Sequence, residues 1–531
     1  MKATPVFPRI TRLCPALPLV AALAWFAAPA AGVTAKPAAT PPSATPQARI
    51  DGAVFGALQR LGIRPAVVCP DEVFVRRVYL DAIGTLPAAQ EVRAFLEDRS
   101  PGKRDALIDR LLARDEFADY WAMRWCDLLR VKSEFPINLW PNAVQAYHRW
   151  IRTCVKENMP YDRFARELLT ANGSNFRTPQ VNFYRAVQSK TPKTLAQTVA
   201  LTFMGTRVEG WPEARLAGLA AFFSQVGYKT TSEWKEEIIY FDAASTNAQM
   251  SAVFPDGTPV EFTPDQDPRE VFADWLLAPR NPWFARAIAN RAWAWFMGHG
   301  IVDEPDDIRP DNPPVNPELL ALLEREVVMG RYDLKRLFQM ILKSKTYQLS
   351  CIPGSDNPAA ERNFAFYPVR RLDAEVLIDA LNQITGSTEK YTSSIPEPFS
   401  FIPENQRTIT LADGSISSPF LSLYGRSARD TGLASERNHD PTASQRLHLL
   451  NSSHIQRKLE QGGKLLALIR QPAAKPRDTV DALYLTILSR YPTADELATL
   501  TAYRQTVAEG WRVAQDVAWA LINTAEFQYR H

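Results

Sequence analysis

Two stretches of this 531-residue chain gather side chains that can do chemistry. The first is LYGRSARDTGLASERNHDPTASQRLHLLN (423–451). Arg426, Arg429, Asp430, Arg437, Asn438 and His439 come from an irregular segment, and Asp440-Pro441 then leads into a helix bearing His448, with His454 just beyond. Arginine, asparagine and histidine at a helix N-terminus suit an anion such as sulfate or carboxylate. A His–Asp pair suits proton transfer. The competing structural reading makes Asp440 a helix cap and lets the arginines pair with Asp430 and Glu436 to hold a long loop. Arg291 and Arg371 join the candidate set if the fold brings them to this segment, although Arg371 could equally pair with Asp373 or Glu375.

The second stretch is WAWFMGHGIVDEPDDIRPDNPP (293–314). An aromatic helix stops at Gly-His-Gly and five carboxylates follow. Its weaker candidates are His299 and Asp307. Calcium-loop spacing is missing, and a zinc site would need ligands from elsewhere. The structural reading is a helix end: Gly298 takes the left-handed cap, His299 complements the dipole, Ile301 folds onto the core, and Asp307 pairs with Arg309. Elsewhere there is no Gly-rich phosphate loop, no G-x-S-x-G elbow, no H-E-x-x-H, and no Cys-x-x-Cys. No metal and no cofactor is expected.

The elements that must position these groups read mainly helical. Asn281-Pro282 opens the helix of WFARAIANRAWAWFM, Asn316-Pro317 opens ELLALLEREVVM, which Gly330 closes, and Asp333 caps LKRLFQMILKS. Thr493-Ala-Asp-Glu496 is a capping box. Trp121, Trp125, His148 and Trp150 fall on two amphipathic helices, where packing is their expected use. EEIIYFD and MSAVF-PDG-TPVEFT predict a small hairpin turning at Asp256-Gly257. Residues 391–438 form a long polar stretch of poor helical period. VYLDAIGTLPAAQEVRAFL (78–96) aligns without a gap with LYLTILSRYPTADELATLT (483–501), and LLARDEF (111–117) with LINTAEF (521–527), an internal repeat of one helix–turn–helix unit.

The N-terminus reads as a leader. Lys2, Arg9 and Arg12 precede an apolar run that ends in small residues, so residues 1–32 are expected to be a signal peptide, with 33–47 a Pro/Ala-rich linker. A retained membrane anchor is the alternative. The net charge of +3 resides in those three basic groups, so the remainder is near neutral and offers no electrostatic case for nucleic acid. Export permits disulfides among Cys69, Cys126, Cys154 and Cys351, although Cys126 and Cys154 sit on apolar helical patterns that favour buried thiols.

Several phrases carry a family resemblance. FVRRVYLDAIGTLP, ALIDRLLARDEFADYWAMRWCDLLR and MPYDRFARELLTANGSN resemble domain of unknown function 1549. FADWLLAPRNPWFARAIANRAWAWFMGHGIV, YDLKRLFQMILKSKTYQLS and RRLDAEVLIDAL resemble domain of unknown function 1553. The resemblance implies an exported, planctomycete-type protein of no stated reaction, often joined to a cytochrome c domain, and often with Cys-x-x-Cys-His just before a phrase like GLAAFF. Here Trp211-Pro-Glu-Ala-Arg215 stands in that place and supplies neither thiols nor imidazole for covalent haem.

The sequence therefore predicts a mainly α protein of two helical domains. Residues 48–243 form the first, 244–266 a junction with the hairpin, and 267–531 the second, which holds the long irregular segment. The leading functional expectation is an exported binding or assembly component, periplasmic or extracellular, with envelope proteins or polysaccharide-like ligands as partners and no integral membrane domain once the leader is cleaved. The alternatives are a hydrolase or lyase acting on anionic saccharides, and an accessory to a separate cytochrome c.

Overall fold

The computed structural model describes residues 45–245, 250–471 and 475–531. The expected leader and all but the end of the expected linker lie outside the described residues. Helices dominate, beginning where the capping side chains predict. Asn316 Oδ1 accepts from the Leu319 amide at 3.0 Å, and Asp333 Oδ1 from the Arg336 amide at 2.9 Å. Thr493 and Glu496 cap reciprocally. Gly298 turns left-handed at φ 85°, and Ile301 is buried beyond it. Two boundaries move. Asn281 Oδ1 accepts from the amides of Trp283 and Phe284, so the helix starts at Phe284 instead of at Pro282. Gly330 follows Met329 with φ −77°, and the left-handed residues are Arg331 and Tyr332.

The strands form small antiparallel sheets. Glu237–Phe241 lies between Gly173–Ser174 and Val226–Thr230. The hairpin is made by Met250–Val253 and Pro259–Phe262 around Asp256-Gly257, so EEIIYFD belongs to a different sheet. A third pair joins Arg370–Arg371 to Tyr529–Arg530 and brings the last residues to the start of the helix Ala374–Thr385. Among the described residues no helix is long and apolar enough to cross a membrane.

Helices from both sides of the 244–266 stretch share one apolar core, and the described residues pack as one unit. Trp121, from the helix Asp115–Leu128, packs at a tilt against Phe338 at 4.4 Å, Trp295 at 5.0 Å and Phe296 at 5.5 Å, and its indole N–H donates to the Ala82 carbonyl. Trp125 and His148 are buried as well, and Trp150 is partly buried against the same core. The cysteines Cys69, Cys126, Cys154 and Cys351 are free thiols, the first three buried. Burial pushes the Cys126 and Cys154 thiols up to about 12, so both stay protonated and unreactive.

The internal repeat has a physical counterpart. In the first copy Arg114 binds both Glu91 and Glu116 and lies over the Tyr79 ring. In the second, Arg490 binds both Glu496 and Glu526 and lies over the Tyr484 ring. Glu91 aligns with Glu496, Glu116 with Glu526 and Tyr79 with Tyr484, while the arginines come from different positions. Each copy closes its helix–turn–helix with the same three-way clamp.

The chain terminus is fastened by buried charge. Arg530 binds Asp81 at 3.2 Å and Asp373 at 2.9 Å, and Arg77 donates to the His531 carbonyl. Removing one partner leaves the others ionised without water, which costs about 3–5 kcal/mol. Arg530→Ala should lower the urea unfolding free energy by about that amount, whereas Arg490→Ala, in a partly exposed clamp, should cost well under half as much. Equal losses would show that Arg530 is not a keystone.

Candidate functional site

The 426–440 segment is ordered by a buried ion network, and most candidate residues serve it. Arg437 places one edge of its guanidinium against Glu375, at 2.8 and 2.9 Å, and donates from Nε to Asp127 at 2.6 Å. Arg429 donates to the other Asp127 oxygen at 2.9 Å and to the carbonyls of Ala412 and Val131. Arg426 lies 3.3 Å from Glu375 and donates to the carbonyls of Ile416 and Asp413. Arg371 faces carbonyls instead of carboxylates: those of Tyr424, Asn438 and His439.

Asp373, at the head of the helix Ala374–Thr385, sits below this layer. One oxygen accepts from Arg124 at 2.8 Å and Arg530 at 2.9 Å. The other has no hydrogen-bond partner and faces His439 Nε2 at 3.6 Å. Burial alone would raise the Asp373 pKa, but Arg124, Arg530 and Arg437 outweigh it and hold the carboxyl well below the usual range. The same balance, with Arg437 and Arg426 prevailing over burial, takes Glu375 to about 2. Partial burial first, then Arg124, Arg437 and Arg530, pushes the His439 imidazole below its ordinary value against the pull of Asp373. With 43% of that side chain still open, water blunts this push.

The remaining candidates divide. Asp430 pairs with Lys132 at 2.6 Å and borders a cleft of about 350 Å³ with Arg130, Gln197 and Arg207. Asn438 Oδ1 accepts from the Asp440 amide, and the Asp440 side chain is exposed. Asp440 does not cap the following helix. Thr442 does, in a capping box with Gln445, because its side chain stands three residues before the amide it must reach. Arg429 and Arg437 pair with Asp127 and Glu375 from distant helices instead of with Asp430 and Glu436. Glu436 instead accepts from the Asp430 amide. Arg291 lies outside the cluster. It binds buried Asp306 at 2.8 Å and the Leu201 and Thr202 carbonyls, and Asp306 in turn accepts from the Ala434 amide. His299 stacks on Phe364 at 4.6 Å, and Asp307 pairs with Arg309 at 3.1 Å. Among the described residues no group of three His, Cys, Asp or Glu is placed to hold a metal.

Sequence reasoning did not find the aromatic face built by residues 135–140, 234–235 and 399–401. Phe135, Trp234 and Phe401 are 81%, 68% and 70% exposed. Trp140 meets Trp234 edge-on at 6.4 Å and Phe399 at 5.5 Å, and Lys235 lies 5.0 Å over its ring. Trp140 holds φ 74° and ψ 145°, a conformation that is costly for a large side chain, and Asn138 and Lys235 are also left-handed. Beside the rings a cleft of about 340 Å³ is lined by Gln145, Phe399, Phe401, Gln406 and Asp413. Gln406 also lines a polar pocket of about 400 Å³ with Arg114, Glu116, Asp379, Asn382 and Arg407. Proline-flanked aromatics in NLWPN and PEPFSFIPE were the available signal.

The family model of PSCyt2, protein of unknown function (DUF1549), matches residues 49–210, and that of PSD1, protein of unknown function (DUF1553), matches residues 268–504. The chain belongs to the proteins that carry these two families in tandem. No curated protein and no solved structure matches it.

The network makes an acid-sensitivity prediction. Glu375 falls from 4.5 to about 2 on folding. Its contribution, about 3 kcal/mol by linkage, is present above pH 4.5 and is lost as pH falls through the window from 4.5 towards 2. Glu375→Gln should be less stable at pH 7 and should lose less further stability across that window, followed by urea midpoints. An unchanged acid slope would remove Glu375 from the account.

Proposed function

We propose that this is an exported binding component that holds neutral polysaccharide chains on its aromatic face and catalyses no reaction of its own at the 426–440 segment. The observation that carries the reading is Trp140. A large ring is kept in an unfavourable backbone conformation so that it lies at the surface between Trp234 and Phe399. Strain of this kind persists where function demands it. Aromatic faces with amides between them suit pyranose rings, which offer apolar C–H faces and equatorial hydroxyls; Gln145 and Gln406 supply the amides. A lipid surface is less well served, because the rings stand at steep angles to one another and Lys235 lies over two of them.

The hydrolase reading has less support. Of the groups it would use, Arg437 is engaged with Asp127 and Glu375, Asp440 points to solvent, and His439 stays open, 3.6 Å from Asp373. Export rests on the basic and apolar leader pattern of residues 1–32.

Affinity gels containing cellulose derivatives, xylan, mixed-linkage glucan or galactomannan test the proposal. At least one should retard the protein. Trp234→Ala and Phe401→Ala should each weaken that retardation about fivefold, the loss of one stacking ring worth ~1 kcal/mol, with thermal unfolding unchanged. No retardation by any polymer, undiminished binding by both variants, or binding to lipid vesicles abolished by the same variants would overturn it.

A further inference from the structure

A second cleft, separate in its residues from the aromatic face, is lined by three arginines. It encloses about 340 Å³ between Trp211, Arg215, Trp283, Arg286, Arg309 and Asn312, within the size range of small-ligand sites. Three guanidinium groups reach it from three separate segments: the helix Glu213–Ala221, the helix Phe284–Met297 and the proline-rich connection after it. No aspartate or glutamate lines it.

The arginines are not equally engaged. Arg286 pairs with Glu324, and Arg309 with Asp307 and Asp311, all partly open to water. Arg215 pairs with no carboxylate among the described residues. Its Nε and Nη2 donate to the single carbonyl of Pro255, at 3.2 and 2.7 Å, and its charge lies 3.7 Å over the Trp211 ring. The stack fixes the guanidinium plane, and among the described residues Nη1 has no hydrogen-bond partner. Arg215 is exposed, and a fixed cation with no carboxylate partner among the described residues is a ready donor to an anion. Trp283 supplies a flat wall, held by Trp275 at 5.5 Å. The Asn312 side chain is anchored through Nδ2 to the carbonyls of Asp303 and Asp307, which leaves its Oδ1 to accept. Arginine forks for an oxyanion, an indole for a ring face and an amide oxygen for a hydroxyl describe one kind of ligand.

We propose that this cleft binds a sugar ring bearing a sulfate or a carboxylate, with Arg215 as the principal anion contact and Trp283 as the stacking wall. The site is independent of the neutral-polymer face, and either can fail without the other.

Titration calorimetry of the full chain with galactose 6-sulfate, galacturonate and galactose tests it, and the two charged probes distinguish the two anion sources. At least one charged sugar should bind ten times more tightly than galactose, and its affinity should fall several-fold between 50 and 300 mM salt. Arg215→Gln should weaken it at least tenfold, Arg215→Lys less, and Trp283→Ala should weaken the sugar while sparing inorganic sulfate. Polymer retardation in the affinity gels should be unchanged in all three variants. The inference fails if neither charged sugar binds, if galactose binds as tightly, or if Arg215→Gln binds undiminished in a protein of unchanged melting temperature.

Discussion

A carboxylate sealed from water must keep its arginines, and Asp373 imposes that condition on three distant parts of the chain. Arg124 comes from the helix Asp115–Leu128, Arg437 and His439 from the irregular segment, and Arg530 from the last strand. None of the three arginines can leave alone without stranding a charge in a medium that solvates it poorly. The arrangement does little for net stability against an apolar core of the same volume. Its effect is to make one conformation far cheaper than its neighbours, a registry role that buried charge is known to fill. Asp127 and Glu375 extend the condition to Arg426 and Arg429, and Asp81 extends it to Arg370 and, through their hydroxyls, to Tyr347 and Tyr367.

The same logic explains why a cluster with the composition of an active site does not present as one. Catalytic carboxylates need a proton to exchange and a reactant within reach. Here each acid already faces one or two guanidinium groups, and Arg426 and Arg429 spend further donors on loop carbonyls. The open edge of His439 and the unpartnered oxygen of Asp373 depart from this pattern.

What the sequence disclosed, and what it withheld, follows from the range of the interactions involved. Caps at Asn316, Asp333 and Thr493, the left-handed Gly298, the Asp256-Gly257 hairpin and the Asp307–Arg309 pair all act within a few residues, and each was legible. The pairings of Arg429 and Arg437 were misread because the nearby acids, Asp430 and Glu436, were within sight, while Asp127 lies some 300 positions away in a phrase, WCDLLR, that reads as core. The aromatic face was hidden for a related reason. Trp140 stands at the head of the helix Pro141–Lys156 and Phe399 in a long polar stretch, and only the fold brings the two rings together.

The network and the aromatic face are mechanically one device. Arg429 donates to the carbonyls of Val131 and Ala412, the two chain segments that lead to opposite sides of the face. Asp413 then accepts from the Ser133 amide at 2.9 Å, and Glu134 accepts from the Ser394 amide at 3.2 Å. A surface built from three loops would ordinarily lose much of its binding energy to ordering those loops on contact. Anchoring them in advance to a cluster that cannot rearrange removes that cost before the ligand arrives. It also accounts for the strain at Trp140, since an unfavourable backbone persists only where the surroundings over-determine it, and here both flanks are held by buried charge.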